Sequence, residues 1–348
     1  MMSQISAWLV YAAFCAGLVY GSLLISIGYL RSVALAVPNH RSGHTMPTPQ
    51  GAGLVVIPVA VLGAAVPLWT IGGQLPVGTL AAWTAGLSAL TLMLVGFKDD
   101  VRAIGIGTRL AVQAAAVGAV MLTLPPEFRI APTFFPLMAE RLFAFLALLW
   151  FVNVVNFMDG MDWMSAVETV AITVGVIALA FLGFIDSSLG WCAAALMGAV
   201  IGFMPLNAHP ARIFLGDAGS LPLGLLLGLL LLNVARQAPA AALILPLYYL
   251  ADATVTLGCR VLKRKRFWES HREHFYQSAL RKGWSVQRIL AWHASLQIFL
   301  VSLAMYSSTQ QDPNILMMVI GLAVFAVAGT LWAYSLRAAH LLPPANDT

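Results

Sequence analysis

Charge is what this chain has least of. Only 9% of its 348 residues are Asp, Glu, Lys or Arg, while 60% are hydrophobic. A soluble domain carries about 25% charged residues, and water would not solvate a surface built from this composition. That excludes a soluble globular fold and leaves the lipid bilayer as the solvent. Cysteine is scarce too. Cys15, Cys192 and Cys259 lie singly in apolar stretches with no CxxC or His-rich spacing nearby, so neither a disulfide framework nor a zinc site is indicated. No linker, low-complexity tract, long polar insertion or internal repeat interrupts the sequence, and residues 1–348 read as a single integral membrane domain. The first apolar stretch has no basic segment before it and no small-residue cleavage pattern after it. It is expected to be a retained helix and not a cleaved signal.

A helix that crosses the hydrocarbon layer needs about 20 apolar residues. Such stretches lie near 5–30, 54–71, 77–97, 107–124, 141–156, 164–184, 189–205, 220–235, 240–262, 287–306 and 315–337. They predict an all-α, polytopic fold with about eleven transmembrane helices. Of the 19 Lys and Arg, all but Arg129, Arg141 and Arg236 fall in loops on one side of this arrangement. Positive residues mark the cytoplasmic side, so the N-terminus is expected outside, in the periplasm, and the C-terminus in the cytoplasm. Orientation also accounts for the net charge of +5, and no nucleic-acid partner is expected.

The few polar residues converge. Asp99 and Asp100 in GFKDD, Asp159 and Asp162 in NVVNFMDGMD, Asp217 in FLGDAGS and the HREHFYQ segment at 271–277 all fall at the expected cytoplasmic face. Adjacent carboxylates such as Asp99 and Asp100 repel and need a cation or a proton between them. A solvated helix end flanked by Lys98 and Arg102 accounts for them equally well. Asn153, Asn156 and Asp159 recur every three residues and share a helix face. Their oxygens are the ligand type that a hard cation such as Mg²⁺ selects, although helix capping is the ordinary reading. Asp217 sits between Gly216 and Gly219 just before a helix start, where free N–H groups suit a metal-bound phosphate or a simple capped turn. His271, Arg272 and His274, beside the KRKR run at 263–266, form a cationic patch fit for a diphosphate or lipid phosphate. Asp252 stands apart inside the ninth span, as the lone exception to the clustering, and its partner is not visible in the sequence.

Taken together and in this order, GFKDD, NVVNFMDGMD, FLGDAGS and HREHFYQ, with PNHRSGHTMPTPQGAG (38–53) in the first loop, resemble the polyprenyl-phosphate N-acetylhexosamine-1-phosphate transferase superfamily (glycosyltransferase family 4 type). The resemblance spans essentially the whole chain. The HREHFYQ form looks like the subgroup that initiates O-antigen and other surface glycans. The peptidoglycan translocase of the same superfamily has a three-histidine segment there, which this chain lacks. Two positions depart from the pattern. The family's usual DGxDG reads DGMDW, with Trp163 in place of a glycine, and its PTPRGGG reads PTPQGAG, with Gln50 in place of an arginine.

The resemblance implies an enzyme of the bacterial inner membrane with its active site on the cytoplasmic face. Its substrates would be a UDP-N-acetyl sugar and undecaprenyl phosphate, its cofactor Mg²⁺ with Mn²⁺ as the alternative, and a homodimer in the bilayer is compatible with it. Asp99 and Asp100 would lie at the phosphate-transfer centre, Asn156 and Asp217 would be the metal ligands, and Asp159 and Asp162 would line the nucleotide pocket. His271, Arg272 and His274 would hold the diphosphate or sugar end. Two rivals remain at this point: a transporter, which would place carboxylates near the bilayer midplane, and an inactive membrane scaffold of the same fold.

Overall fold

A computed structural model of the chain describes residues 2–37, 46–70, 77–265 and 272–336. It is helical almost throughout: α1 (Met2–Val33), α2 (Gly53–Thr70), α3 (Gly78–Val101), α4 (Ile106–Thr123), α5 (Leu137–Met158), α6 (Met164–Phe181) and α7 (Ser188–Asn207) come first. They are followed by α8 (Asp217–Ala235), α9 (Pro239–Ile244), α10 (Leu247–Leu262), α11 (Phe275–Arg281), α12 (Val286–Ser308) and α13 (Pro313–Ser335). Two-residue strands, β1 (Leu35–Ala36) and β2 (Thr48–Pro49), pair antiparallel after α1.

Among the described residues nine helices are long and apolar enough to cross a bilayer, and α2 is apolar but shorter by the same measure. The peripheral helices turn large apolar side chains outward, among them Ile25, Leu122, Phe325 and Trp332. In water such a surface would aggregate; against lipid it is the ordinary solvent-facing surface. The chain is a multi-pass, all-helical membrane protein. At its centre α6, α7 and α8 are the most enclosed helices. On the crossing of α1 with α7, a Cβ on Gly198 or Gly202 would lie 2.2 or 2.3 Å from the carbonyl oxygens of Ala12 and Ala16, which is the close approach of backbones that small residues permit in membranes.

Each apolar stretch expected from the sequence coincides with a helix, with one correction. The stretch 240–262 is not one span. It breaks between α9 and α10 at Leu245 and Pro246, because Pro246 has no N–H to continue the ladder and its ring crowds the preceding turn. The result is a short helix followed by one of 16 residues, and this break sets the position of Asp252.

Helices α3, α4, α5 and α8 alternate in direction. The C-terminal ends of α3 and α5 and the N-terminal ends of α4 and α8 therefore meet at one end of the bundle. The opposite ends gather the three arginines that the sequence set apart. The guanidinium carbons of Arg141 and Arg236 lie 5.8 and 4.8 Å from the centre of the Phe128 ring, and Arg129 Nε donates to Glu140 at 2.7 Å.

Candidate active site

The meeting point is built around the start of α8. Gly216 adopts φ +73°, a conformation open to glycine, and a Cβ there would strike the Asp100 carboxylate at 2.4 Å. The chain can thus bring the first turn of α8 onto Asp100, whose oxygens accept from the N–H groups of Asp217 at 2.9 Å and Ala218 at 3.0 Å. Asp100 serves as a helix cap supplied by another helix. Its own backbone carbonyl accepts from Gln50 Nε2 at 2.7 Å. Gln50 thus ties the first loop to the end of α3.

Asp99 and Asp217 converge on a single nitrogen. Arg109 Nη1, from the first turn of α4, lies 3.1 Å from Asp99 Oδ2 and 3.0 Å from Asp217 Oδ2. The other oxygen of Asp99 accepts from Ile104 N at 2.5 Å, and that of Asp217 from Asn156 Nδ2 at 2.8 Å. Asn156 also donates to Ser220 Oγ at 2.9 Å. All three acidic side chains of the centre are thus held by donors, and a guanidinium provides the positive charge where the two free carboxylate edges meet.

No three His, Cys, Asp or Glu side chains among the described residues are grouped to hold a metal ion by themselves. Mg²⁺ seldom needs such a cage, taking one or two carboxylates and completing its shell with water and substrate phosphate. The donor set here fits that habit. Asp99 and Asp217 point hard oxygens at one cationic position, and turning the Asn156 amide over would offer its oxygen beside them.

Asp159 caps the C-terminus of α5 and accepts from Ser165 Oγ at 2.7 Å. Loss of solvent, aided by the nearby carboxylates of Asp217, Asp100 and Asp162, pushes its carboxyl up to about 8 against the opposing hydrogen bond of Ser165. Asp162 turns elsewhere, to His209 Nδ1 at 2.7 Å and Ala211 N at 3.2 Å. Between them, Gly160 leaves no room for a side chain: a Cβ would lie 2.4 Å from the Tyr276 hydroxyl and 2.8 Å from Gln277 Nε2. The Asp159–Asp162 turn thus rests directly on α11. Next to it Trp163 holds φ +64°, which explains why a glycine suits this position. Here the indole Nε1 donates to Met204 O at 2.7 Å and the backbone N–H to Asn207 at 2.8 Å, and these bonds offset the strain.

The HREHFYQ segment meets this assembly with one part outside view. His271 lies outside the described residues. Arg272 is half-buried, whereas His274 is buried, stacked against Phe157 at 6.4 Å between ring centres and paired with Asp252 at 3.2 Å. The cationic patch is less positive than its sequence implies, since Glu273 pairs with Arg260 at 2.7 Å and Lys265 at 2.8 Å. Nor is Asp252 the lone intramembrane carboxylate. Glu168 is buried in α6, 3.2 Å from His293 Nε2 and 2.5 Å from Gln297 Nε2. It escapes a reading by loops because it lies little more than a turn inside its helix.

Sequence reasoning brought Asp99, Asp100, Asn156, Asp159 and Asp217 to one end of the molecule, and the structure joins them there. It missed Arg109, read only as an orientation signal. A charged residue opening an otherwise apolar helix was the available clue. It also missed Ser165 and His209, which carry no signal apart from their partners, and it gave no role to Ser220 at the end of the FLGDAGS motif.

Comparison with known proteins places these residues. Residues 82–235 match the family model for glycosyl transferase family 4, a range that holds Asp99, Asp100, Arg109, Asn156, Asp159, Asp162 and Asp217. A phospho-N-acetylmuramoyl-pentapeptide-transferase of Chlorobium phaeobacteroides is 28% identical over 333 residues, covering 80% of this chain and 86% of the relative. The enzyme of that name from Chlorobaculum parvum is 26% identical, over 77% of this chain and 82% of its own length. That from Moorella thermoacetica reaches 33% identity over a shorter 185 residues, 51% of this chain and 53% of the relative. With these homologues over most of its length and the family match over its acidic centre, the chain is similar to the polyprenyl-phosphate sugar-1-phosphate transferases.

Proposed function

We propose that the protein transfers an N-acetylhexosamine-1-phosphate from a UDP-sugar to undecaprenyl phosphate, releasing UMP, as the first step of a lipid-linked surface glycan of the O-antigen type. The observation that carries this reading is the convergence of Asp99 and Asp217 on one cationic position beside Asn156. Lysine and arginine placement supports a cytoplasmic face for that end of the bundle.

In this reading Asp217 and Asn156 would hold Mg²⁺, with Asp99 as the neighbouring carboxylate. When bound, the ion supplies neutralising charge to the diphosphate. Arg109, beside the same carboxylates, would supply a second countercharge for the transferring group. An oxygen of the lipid phosphate forms a bond to the β-phosphorus of the UDP-sugar. The bond from that phosphorus to the bridging oxygen breaks, and UMP leaves with the electron pair. An ionised phosphate is already nucleophilic, so Asp100 needs to take no proton; its oxygens hold the start of α8 in place instead. Asp159 and Asp162 border the nucleotide, and Arg272 the diphosphate or sugar end. The HREHFYQ segment in place of three histidines supports a surface-glycan role over a peptidoglycan one.

The test is UMP release from purified protein given undecaprenyl phosphate, Mg²⁺ and a panel of UDP-N-acetyl sugars, with EDTA and Asp217→Asn controls. Release that requires lipid and metal, and that the variant loses, is the expected result. Folded protein that releases no UMP with any sugar sinks the reading.

A further inference from the structure

Asp252 has no part in the transfer chemistry above, yet its carboxylate faces five donors among the described residues. It is entirely buried in α10. Oδ1 accepts from Phe275 N at 3.0 Å and Thr256 Oγ1 at 3.2 Å and faces His274 Nδ1 at 3.2 Å. Oδ2 accepts from the Tyr248 hydroxyl at 3.1 Å and more weakly from Tyr276 N at 3.4 Å. Three of these five donors belong to consecutive residues, 274–276, at the start of α11. A buried charge this far from water is tolerated only with such partners.

We infer that Asp252 is a positioning residue for the nucleotide-binding turn. It acts through α11. The carboxylate fixes the first turn of α11, and α11 in turn backs Gly160, against which a side chain would collide with Tyr276 and Gln277. Gly160 lies between Asp159 and Asp162. The same carboxylate sets His274 with its proton on Nδ1, stacked on Phe157 two residues before Asp159. The break at Pro246 supports this role, because it starts α10 afresh and lets Tyr248, Asp252 and Thr256 line up on one face toward α11.

This inference rests on the reading of the Asp159–Asp162 turn as the UDP-sugar site, and the two can fail separately. The experiment is calorimetric binding of UDP in the presence of Mg²⁺ to detergent-purified full-length protein, wild type and variants, with Tm measured alongside. Wild-type protein that does not bind UDP overturns the nucleotide-site reading itself. Given wild-type binding, Asp252→Asn keeps the volume and one acceptor oxygen but loses the charge, and is expected to weaken UDP binding roughly tenfold, the effect of losing hydrogen bonds to a charged group. Amide hydrogen exchange is expected to rise both at 275–281 and at 159–163. Tyr248→Phe removes one bond to the same carboxylate without touching α11, and is expected to lower Tm with UDP affinity kept within about twofold. An Asp252→Asn protein with wild-type UDP affinity, or one in which exchange rises at 275–281 alone, overturns the inference. So does equal loss of affinity in the Tyr248 variant, which would make the role purely structural.

Discussion

Two sets of carboxylates lie in this protein, and their partners differ in kind. At the end of the bundle, the side chains of Asp99 and Asp217 keep 12% and 26% of their surface open and share one arginine nitrogen. Inside it, Asp252 and Glu168 are sealed at 0% and 1% exposure. Asp252 has donors from α10 and α11 on both oxygens, whereas Glu168 accepts from Gln297 through Oε2 and its buried Oε1 has no hydrogen-bond partner among the described residues. Burial alone would rank the interior pair as the more functional. The difference between the two sets lies in the partner: Asp99 and Asp217 share one guanidinium at a partly open end of the bundle, whereas Asp252 is held by donors packed inside it.

The comparison breaks most sharply at Asp217. Asp217→Asn is expected to lower UMP release roughly a thousandfold with Tm nearly unchanged; a variant that keeps its rate removes Asp217 from the centre. Glu168 gives the mirror image. Removing one partner of a buried pair costs about 3 kcal/mol or more, so Glu168→Ala is expected to unfold at a clearly lower temperature while its folded fraction keeps the wild-type KM. A changed KM at normal stability would move Glu168 into the active region. Arg109→Met sharpens the distinction further. Loss of the countercharge should slow transfer about tenfold, and Mg²⁺ should then raise Tm more than in the wild type, because nothing else holds Asp99 and Asp217 together. An equal Mg²⁺ effect in both proteins would mean that the guanidinium and the ion do not share a position. The smallest effect is expected at Trp163. Glycine there relieves about 1–2 kcal/mol of left-handed strain but loses the indole hydrogen bond, worth about 1 kcal/mol. Trp163→Gly should therefore change Tm little and show its effect, if it bears on the donor, in the order of preference across the sugar panel.

Much of this was legible in the residues. Apolar length located the helices, and the acidic motifs announced themselves because a polar group at a membrane helix end is conspicuous against such a background. What stayed hidden depends on pairing. Arg109 is ten residues from Asp99 but more than a hundred from Asp217, and only the fold shows that both carboxylates meet it. Asp252 was visible as an anomaly, while its donors at 274–276 come from beyond the end of its own helix, so the sequence could not name them. The break of α9 from α10 was signalled by Pro246 but masked by the unbroken run of apolar residues on either side. Glu168 and His293 look unremarkable because each lies on a helix whose neighbours are ordinary.

The start of α8 has a further consequence, which lies behind it and not in front. A Cβ on Gly53 would come within 2.2 Å of Gly219 N, and one on Gly96 within 2.2 Å of Asp217 O. Helices α2 and α3 therefore press bare backbone against the rear of the Asp217 turn, and no larger residue at either position fits without displacing it. Changes of side chain have no room to arise there. They are left to positions outside this contact, while the turn itself stays in place.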